Sequence, residues 1–348
     1  QSVFGGVPPK TNAKDPFSTA YSKRFSWFHQ RSILPTVPED TARIGLLSSL
    51  KNKIPERLYL GTNRKAGTPF VSYFLYPKKD QHLDSLSGQL YEYVANGAKF
   101  LHSSGKYSML GKGGGTGEES LDVFLVMNGK NPFPLHPDRA EDGDFIRKNT
   151  IQLIASALKV ESNAHGDSYG QFGWDNYYGG GSRWIRKSVL TREGVLIVSD
   201  TYTPSSKLGA GYLGGPIWHL AREEGQKEGP RTESWFDAPA FEHAWWQKSP
   251  QRIRLTLHPG KKHKYGQLRQ NTSQDLEPNI TTFACSPISP GKPAHFLSVF
   301  TPYPVDTLPP EVNTIISDKG SCSALFADIK VDIYPDGTWR VTRPRSQN

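Results

Sequence analysis

Apolar and polar positions alternate in short runs along most of the chain, and turn residues rather than long amphipathic stretches separate the runs. Residues 68–76 (TPFVSYFLY) make the first clear run. Residues 89–94 (QLYEYV) make the next, with the rings of Tyr91 and Tyr93 two residues apart. Asn96-Gly97 then supplies the commonest two-residue hairpin signal, so residues 98–102 are expected to return as the second strand of a β-hairpin. Residues 121–127 read as a strand, and residues 146–200 hold three or four more, broken by Tyr177-Tyr178-Gly179-Gly180-Gly181. The alternation returns at 252–257, 294–300 and 327–341, where Asp336-Gly337 is expected to turn a last hairpin. Residues 41–50 fit a first strand or a short helix, and residues 205–250, with Trp218, Trp235, Trp245 and Trp246, read as a long irregular insertion.

These runs predict an all-β fold: a large antiparallel β-sandwich with long irregular loops and few short helices. Composition agrees, because 17 Phe, 15 Tyr and 8 Trp, with 33 Gly and 27 Pro, suit short strands and frequent turns. Residues 1–40 lack periodicity and carry the aromatic group Phe25, Trp27, Phe28 and His29. They are expected to form an irregular segment packed on a sandwich made by residues 41–348, with no linker dividing the chain.

Charge narrows the partners. A net charge of +9 fits an anionic partner or simply a basic surface. The cations are scattered, and helix-turn-helix, zinc-finger and RNP-like patterns are absent, so no nucleic-acid partner is expected. An acidic polysaccharide suits scattered cations among many aromatic rings. Cys285 and Cys322 allow one disulfide or two buried thiols. No apolar run reaches membrane-spanning length, so no membrane partner is expected. The chain starts at Gln1 rather than Met and carries sequons at Asn271 and Asn279, which suggests a processed, secreted protein. The glycine-rich stretch 109–120 lacks the Lys-Ser/Thr pair of a phosphate loop and is expected to be a mobile loop beside a cleft.

Candidate chemistry centres on residues 80–107. Asp80, His82 and Asp84 precede the hairpin, and Ser103-Ser104-Gly105-Lys106-Tyr107 follows it, so the hairpin ends should bring His82, His102 and Tyr107 to one rim. Three further blocks follow in order. Lys148-Asn149-Thr150-Ile151-Gln152-Leu153 leads into one strand, Arg183-Trp184-Ile185-Arg186-Lys187-Ser188-Val189-Leu190 forms a basic strand, and Val195-Leu196-Ile197-Val198-Ser199-Asp200 is an apolar strand ending in an acid. Together the blocks resemble the β-sandwich domain of the heparinase II/III-like polysaccharide lyases, over roughly residues 41–200.

The resemblance implies β-elimination at a uronic acid. That reaction needs a cation or hydrogen-bond donor on the carboxylate, a base for the neighbouring proton and an acid for the departing oxygen. Tyr107 and His82 are the expected acid/base pair. Lys148, Asn149 and Arg186 are the expected carboxylate partners, with His102, Trp174 and Arg183 as further substrate contacts. The family's zinc ligands include an Asp and a His where this chain has Ser103 and Lys148, so neither a metal nor another cofactor is expected, although His82, His102 and a further donor remain an alternative set. The family's α/α toroid has no counterpart in the sequence and would come from a second chain or a removed segment. A non-catalytic carbohydrate-binding or structural module is the rival reading. Hydrolysis through the carboxylates Asp80 and Asp84 is a third.

Overall fold

The computed structural model describes residues 45–48, 55–61, 69–75, 88–101, 124–128, 152–177, 180–207, 211–221, 233–237, 251–258, 264–270 and 279–344. Residues 1–40, with their aromatic group, and the glycine-rich stretch 109–120 lie outside them. The described residues hold 21 strands and one short 3-10 turn, Ala155–Ala157, and their ladders are antiparallel. The all-β expectation holds.

The described strands form four sheets. β1 (Gly45–Ser48), β2 (Pro55–Gly61), β3 (Phe70–Phe74), β4 (Leu90–Ala95) and β5 (Ala98–Lys99) pair in chain order. The largest sheet contains β7 (Gln152–Leu153), β8 (Lys159–Ser162), β9 (Ser168–Asp175), β10 (Arg183–Leu190), β11 (Leu196–Thr203), β13 (Glu233–Asp237), β14 (Gln251–Leu257) and β17 (Ala294–Pro304). Its order is β13-β14-β17-β11-β10-β9-β7, with β8 also on β9. A third sheet runs β15 (Lys264–Gln270), β16 (Asn279–Pro287), β12 (Tyr212–Ala221), β6 (Phe124–Asn128), and a fourth runs β18 (Val312–Ile316), β19 (Cys322–Phe326), β20 (Ile329–Ile333), β21 (Trp339–Thr342).

The eight-stranded sheet is the middle layer because both of its faces are apolar. Phe172, Trp174, Trp184, Val198, Tyr202, Phe296 and Phe300 bury against the five-stranded sheet and the β6–β12 sheet. The alternate positions Tyr169, Val189, Ile197, Leu297 and Val299 bury against the C-terminal sheet. Buried hydroxyls tie the layers: Tyr73 of β3 and Ser188 of β10 share a hydrogen bond of 2.6 Å, and Tyr93 of β4 donates to the Gly194 carbonyl. Trp218 of β12 donates to Ser298 of β17 at 3.0 Å.

The Asn96-Gly97 hairpin forms, with both residues in the left-handed region (φ 51 and 78) that this turn requires. Tyr91 and Tyr93, however, part company. Ser72 pairs with Glu92 and Tyr73 with Leu90, which leaves Tyr91 as the extra residue of a β-bulge. Tyr93 is fully buried, while Tyr91 is 40% exposed. Residues 41–50 contribute a strand, β1, and the Asp336-Gly337 hairpin forms.

The expected insertion at 205–250 is corrected: it carries β12 and β13, and Trp218 lies in the core. The Gly214-Gly215-Pro216 sequence concealed β12. Pairing with β16 lapses at Gly215 and Pro216, between Gly214↔Ser286 and Ile217↔Phe283, while both residues keep their partners in β6, Leu125 and Phe124. Trp245 and Trp246 lie outside the described residues.

Candidate functional site

Of the basic strand's three cations, each goes a different way. In β10, successive side chains alternate between the two faces of the middle sheet. Arg183 at the strand's start is exposed and pairs with Asp175 across the ladder at 2.8 Å. Lys187 points to the C-terminal sheet, donating to the carbonyls of Tyr334 (2.6 Å) and Pro335 (2.7 Å), and burial holds its pKa below the ordinary lysine value.

Arg186 points the other way, into the main core. It faces Asp200 of β11 across the ladder and binds it in a two-pronged pair, Nε to Oδ1 at 2.8 Å and Nη2 to Oδ2 at 3.0 Å. Trp184 adds a third donor to Asp200, Nε1 to Oδ1 at 2.8 Å. The guanidinium carbon lies 4.8 Å from the ring of Trp184 and 4.6 Å from that of Trp218. Two charges out of water are costly, and this set of partners is what makes the burial tolerable.

One contact of Arg186 leaves the pair. Nη1 lies 3.4 Å from the carbonyl oxygen of Gly88, across the interface between sheets. Gly88 has φ +82, and a Cβ there would stand 2.5 Å from the Trp184 ring and 3.0 Å from Trp174 Nε1. A glycine is therefore required where the chain, coming from residues 76–87, is clamped between two tryptophans and an arginine.

The other candidate segments join the fold at the same end. The chain after Gly97 runs back along β4 and leaves the described residues at Leu101, which bridges Leu220 of β12. It re-enters at Phe124, whose carbonyl accepts from the Tyr177 hydroxyl (2.8 Å) and whose ring stacks on Tyr202 at 5.0 Å. Gln152 and Leu153 pair with Asp175 and Trp174, so the chain enters β7 where β9 ends and β10 begins. Gly88, Phe124 and Gln152 are the places where stretches carrying His82, Tyr107 and Lys148 meet the scaffold.

The expected catalytic pair Tyr107 and His82, the expected contacts Lys148, Asn149 and His102, and the acids Asp80 and Asp84 themselves lie outside the described residues. Two of the remaining substrate contacts have different surroundings from those expected. Arg186 and Trp174 are both fully buried, so in this arrangement neither opens to a ligand at the surface. The carboxylate facing Arg186 is the protein's own Asp200. The reason is strand alternation: residue 186 shares its face with Trp184 and Ser188, and that face is the core. Arg183 is on the surface, as a substrate contact would need to be. Sequence reasoning did not link Arg186 to Asp200, although a signal existed. Counting outward from the Thr191–Gly194 turn, whose ends bond through Thr191 and Val195, puts the two residues opposite each other.

The far face of the middle sheet carries a second polar group. Cys322 lies 3.3 Å from the Ser199 hydroxyl, and burial pushes its thiol pKa up. His295 shares a hydrogen bond with Thr201 at 3.1 Å, and burial, with Lys187 nearby, pushes its pKa down. Both cysteines are buried and no disulfide joins them, so the open pairing falls to thiols. Among the described residues no group of three or more His, Cys, Asp or Glu side chains converges on a metal-sized site.

Comparison with known proteins gives no matching family model and no matching curated protein. Solved structures do match. A heparan sulfate lyase from Pedobacter heparinus aligns with 93% of this chain and 46% of its own at TM-score 0.59 and 9% identity. The fold is shared with heparinase III. A heparinase III gene product gives TM-score 0.60 at 11% identity, covering 93% of this chain and 46% of its own, and a further heparinase III gives 0.56 at 12%, covering 88% and 43%. The chain spans less than half the length of each of these solved structures. No described helix is long and apolar enough to cross a membrane.

Proposed function

We propose that this chain is the β-sandwich portion of a secreted polysaccharide lyase that cleaves an acidic, uronic-acid-containing polysaccharide by β-elimination. What supports the reading is that Gly88, Phe124 and Gln152, the described residues that adjoin the candidate segments in sequence, lie at one end of the middle sheet, in a fold shared with heparinase III.

In this reading Lys148 and Asn149 neutralise the substrate carboxylate, which acidifies the proton on the neighbouring carbon. One of Tyr107 and His82 removes that proton and the other protonates the departing glycosidic oxygen, leaving a carbon–carbon double bond conjugated to the carboxylate. Arg183, at the exposed start of β10, and His102 contact the chain nearby. Arg186, Asp200 and Trp174 support the site from below and touch no substrate. The toroid half would come from a second chain or from another part of the same protein.

Absorbance in the ultraviolet band of an unsaturated uronate, measured with a panel of acidic polysaccharides, tests the proposal, because elimination makes that chromophore and hydrolysis does not. A rise with one substrate supports it. Glycan binding without a rise favours the second reading, a non-catalytic carbohydrate module.

A further inference from the structure

We propose that β18 is an association edge: it pairs antiparallel with the β18 of a second copy of this chain, about a two-fold axis, and joins two C-terminal sheets into one. The inference does not depend on the lyase reading. β18 ends its sheet, with β19 on one side and, among the described residues, no strand on the other. The Ser317 amide donates to the Ser321 carbonyl at 2.9 Å. Hydrogen-bonded pairs alternate along an antiparallel ladder, so Ile315 with Ser323 and Asn313 with Leu325 are also hydrogen-bonded pairs. The amides and carbonyls of Val312, Thr314 and Ile316 therefore point away from β19. Among the described residues no backbone group bonds to them outside the sheet.

Open edges are usually guarded by a charge, a proline, a bulge or very short length. β18 has none of these. It runs five residues, Val312-Asn313-Thr314-Ile315-Ile316, in unbroken register with β19. Val312 and Ile316 pack toward the middle sheet, and Thr314 shares a hydrogen bond with His258 at 3.0 Å. Ile315 faces out at 64% exposure, and Leu325 on the next strand is 43% exposed. An exposed isoleucine in the middle of an open, regular edge is a template for another strand.

The occupant is a second copy because the edge complements itself. With Ile315 opposite Ile315 of the second copy, the outward groups of Thr314 and Ile316 meet those of Ile316 and Thr314, and each pair exchanges both backbone hydrogen bonds. The two isoleucines then face each other in a non-hydrogen-bonded pair, where side chains stand closest. The same register brings the exposed Glu311, before one strand, to the turn that follows the other, where exposed Lys319 lies beside Asp318. An acid therefore meets a lysine at both ends of the paired strands. The other charges of that face, Lys330, Asp332 and Arg340, lie on β20 and β21 and pair with one another through Asp332. Two-fold pairing uses up both edges, so association stops at a dimer.

Sedimentation velocity of the full chain over a concentration series tests this. Two paired five-residue edges make a small interface, so a reversible dimer in the micromolar range is expected. Ile315→Lys puts a charge at the centre of the edge and is expected to weaken dimerisation roughly tenfold or more. Its near-ultraviolet circular dichroism should match the parent, because the side chain is exposed. Ile315→Cys is expected to form a disulfide between two copies on mild oxidation, since the Cα atoms of such a pair stand about 4.5 Å apart. Asn313→Cys should form none, because its counterpart in the second copy is displaced well along the strand. The chain's own cysteines are buried. A chain that stays monomeric into the millimolar range overturns the proposal and leaves the edge to a further segment of the protein or an unrelated strand. A dimer indifferent to Ile315→Lys, or one in which Ile315→Cys forms no bridge, overturns it too.

Discussion

Arg186 and Asp200 stand opposite each other on adjacent strands, 2.8 Å apart, and neither exceeds 1% exposure. Removing one partner strands the other charge in the core, so Asp200→Asn or Arg186→Met is expected to cost about 3–5 kcal/mol. Replacing both together, Arg186→Met with Asp200→Leu, should cost less than either alone. Urea unfolding of the four proteins checks the order, and a double variant weaker than both singles would refute it.

At Gly88 the backbone is left-handed and the space for a side chain is filled by Trp184. Gly88→Ala is therefore expected to lose about 2 kcal/mol or more through strain and overpacking. A shift in the urea midpoint would register it, with Gly291→Ala, whose φ is +67 and whose Cβ would meet no atom within 4 Å, as a control that carries the backbone strain alone.

For the proposed elimination, Tyr107→Phe deletes a single hydroxyl. Loss of a general acid or base is expected to slow formation of the unsaturated product by roughly 100-fold or more with binding retained. Full activity in this variant would remove Tyr107 from the mechanism.

Acid should loosen the C-terminal strap. Arg343 binds Asp167 and Glu193, bridging β21 to the turns that flank β9 and β10. Burial pushes the Glu193 carboxyl up, but hydrogen bonds from Arg343 and Arg192 outweigh it and hold the pKa at about 2, against 4.5 ordinarily. A pKa depressed in the folded state contributes stability that is fully present above about 4.5 and is lost as pH falls toward 2. The melting temperature is expected to drop across that window, and Glu193→Gln should make the drop shallower. Equal slopes in both proteins would refute the assignment.

The thiols offer a simpler check. Cys285 and Cys322 are buried thiols, and burial raises the Cys322 pKa, so a thiol reagent should label neither in the native chain and both after unfolding. Rapid native labelling would contradict their placement.

How much of this was legible beforehand depended on whether the signal was local. The Asn96-Gly97 and Asp336-Gly337 hairpins declared themselves because a two-residue turn needs left-handed residues at fixed places. β12 did not, because Gly214-Gly215-Pro216 reads as a break in a strand, and only the neighbouring strands show that pairing lapses on the β16 side alone. The site divided in the same way. Acid, base and cation types gathered in ordered blocks could be read from the chain, whereas the role of Arg186 could not, since the same alternation suits a strand with a wet face or a buried one.

Period-two alternation and turn chemistry along the chain were enough to give the class of fold and the kinds of side chain at hand for an anionic sugar. Which face of each strand met water was set by the packing of the sheets. It stacked a second layer on each side of the middle sheet, which turned Arg186 inward onto Asp200 and Lys187 onto the C-terminal hairpin. A bulge of one residue turned Tyr91 out. Burial is a property of what packs on top, and that comes from residues distant in the chain.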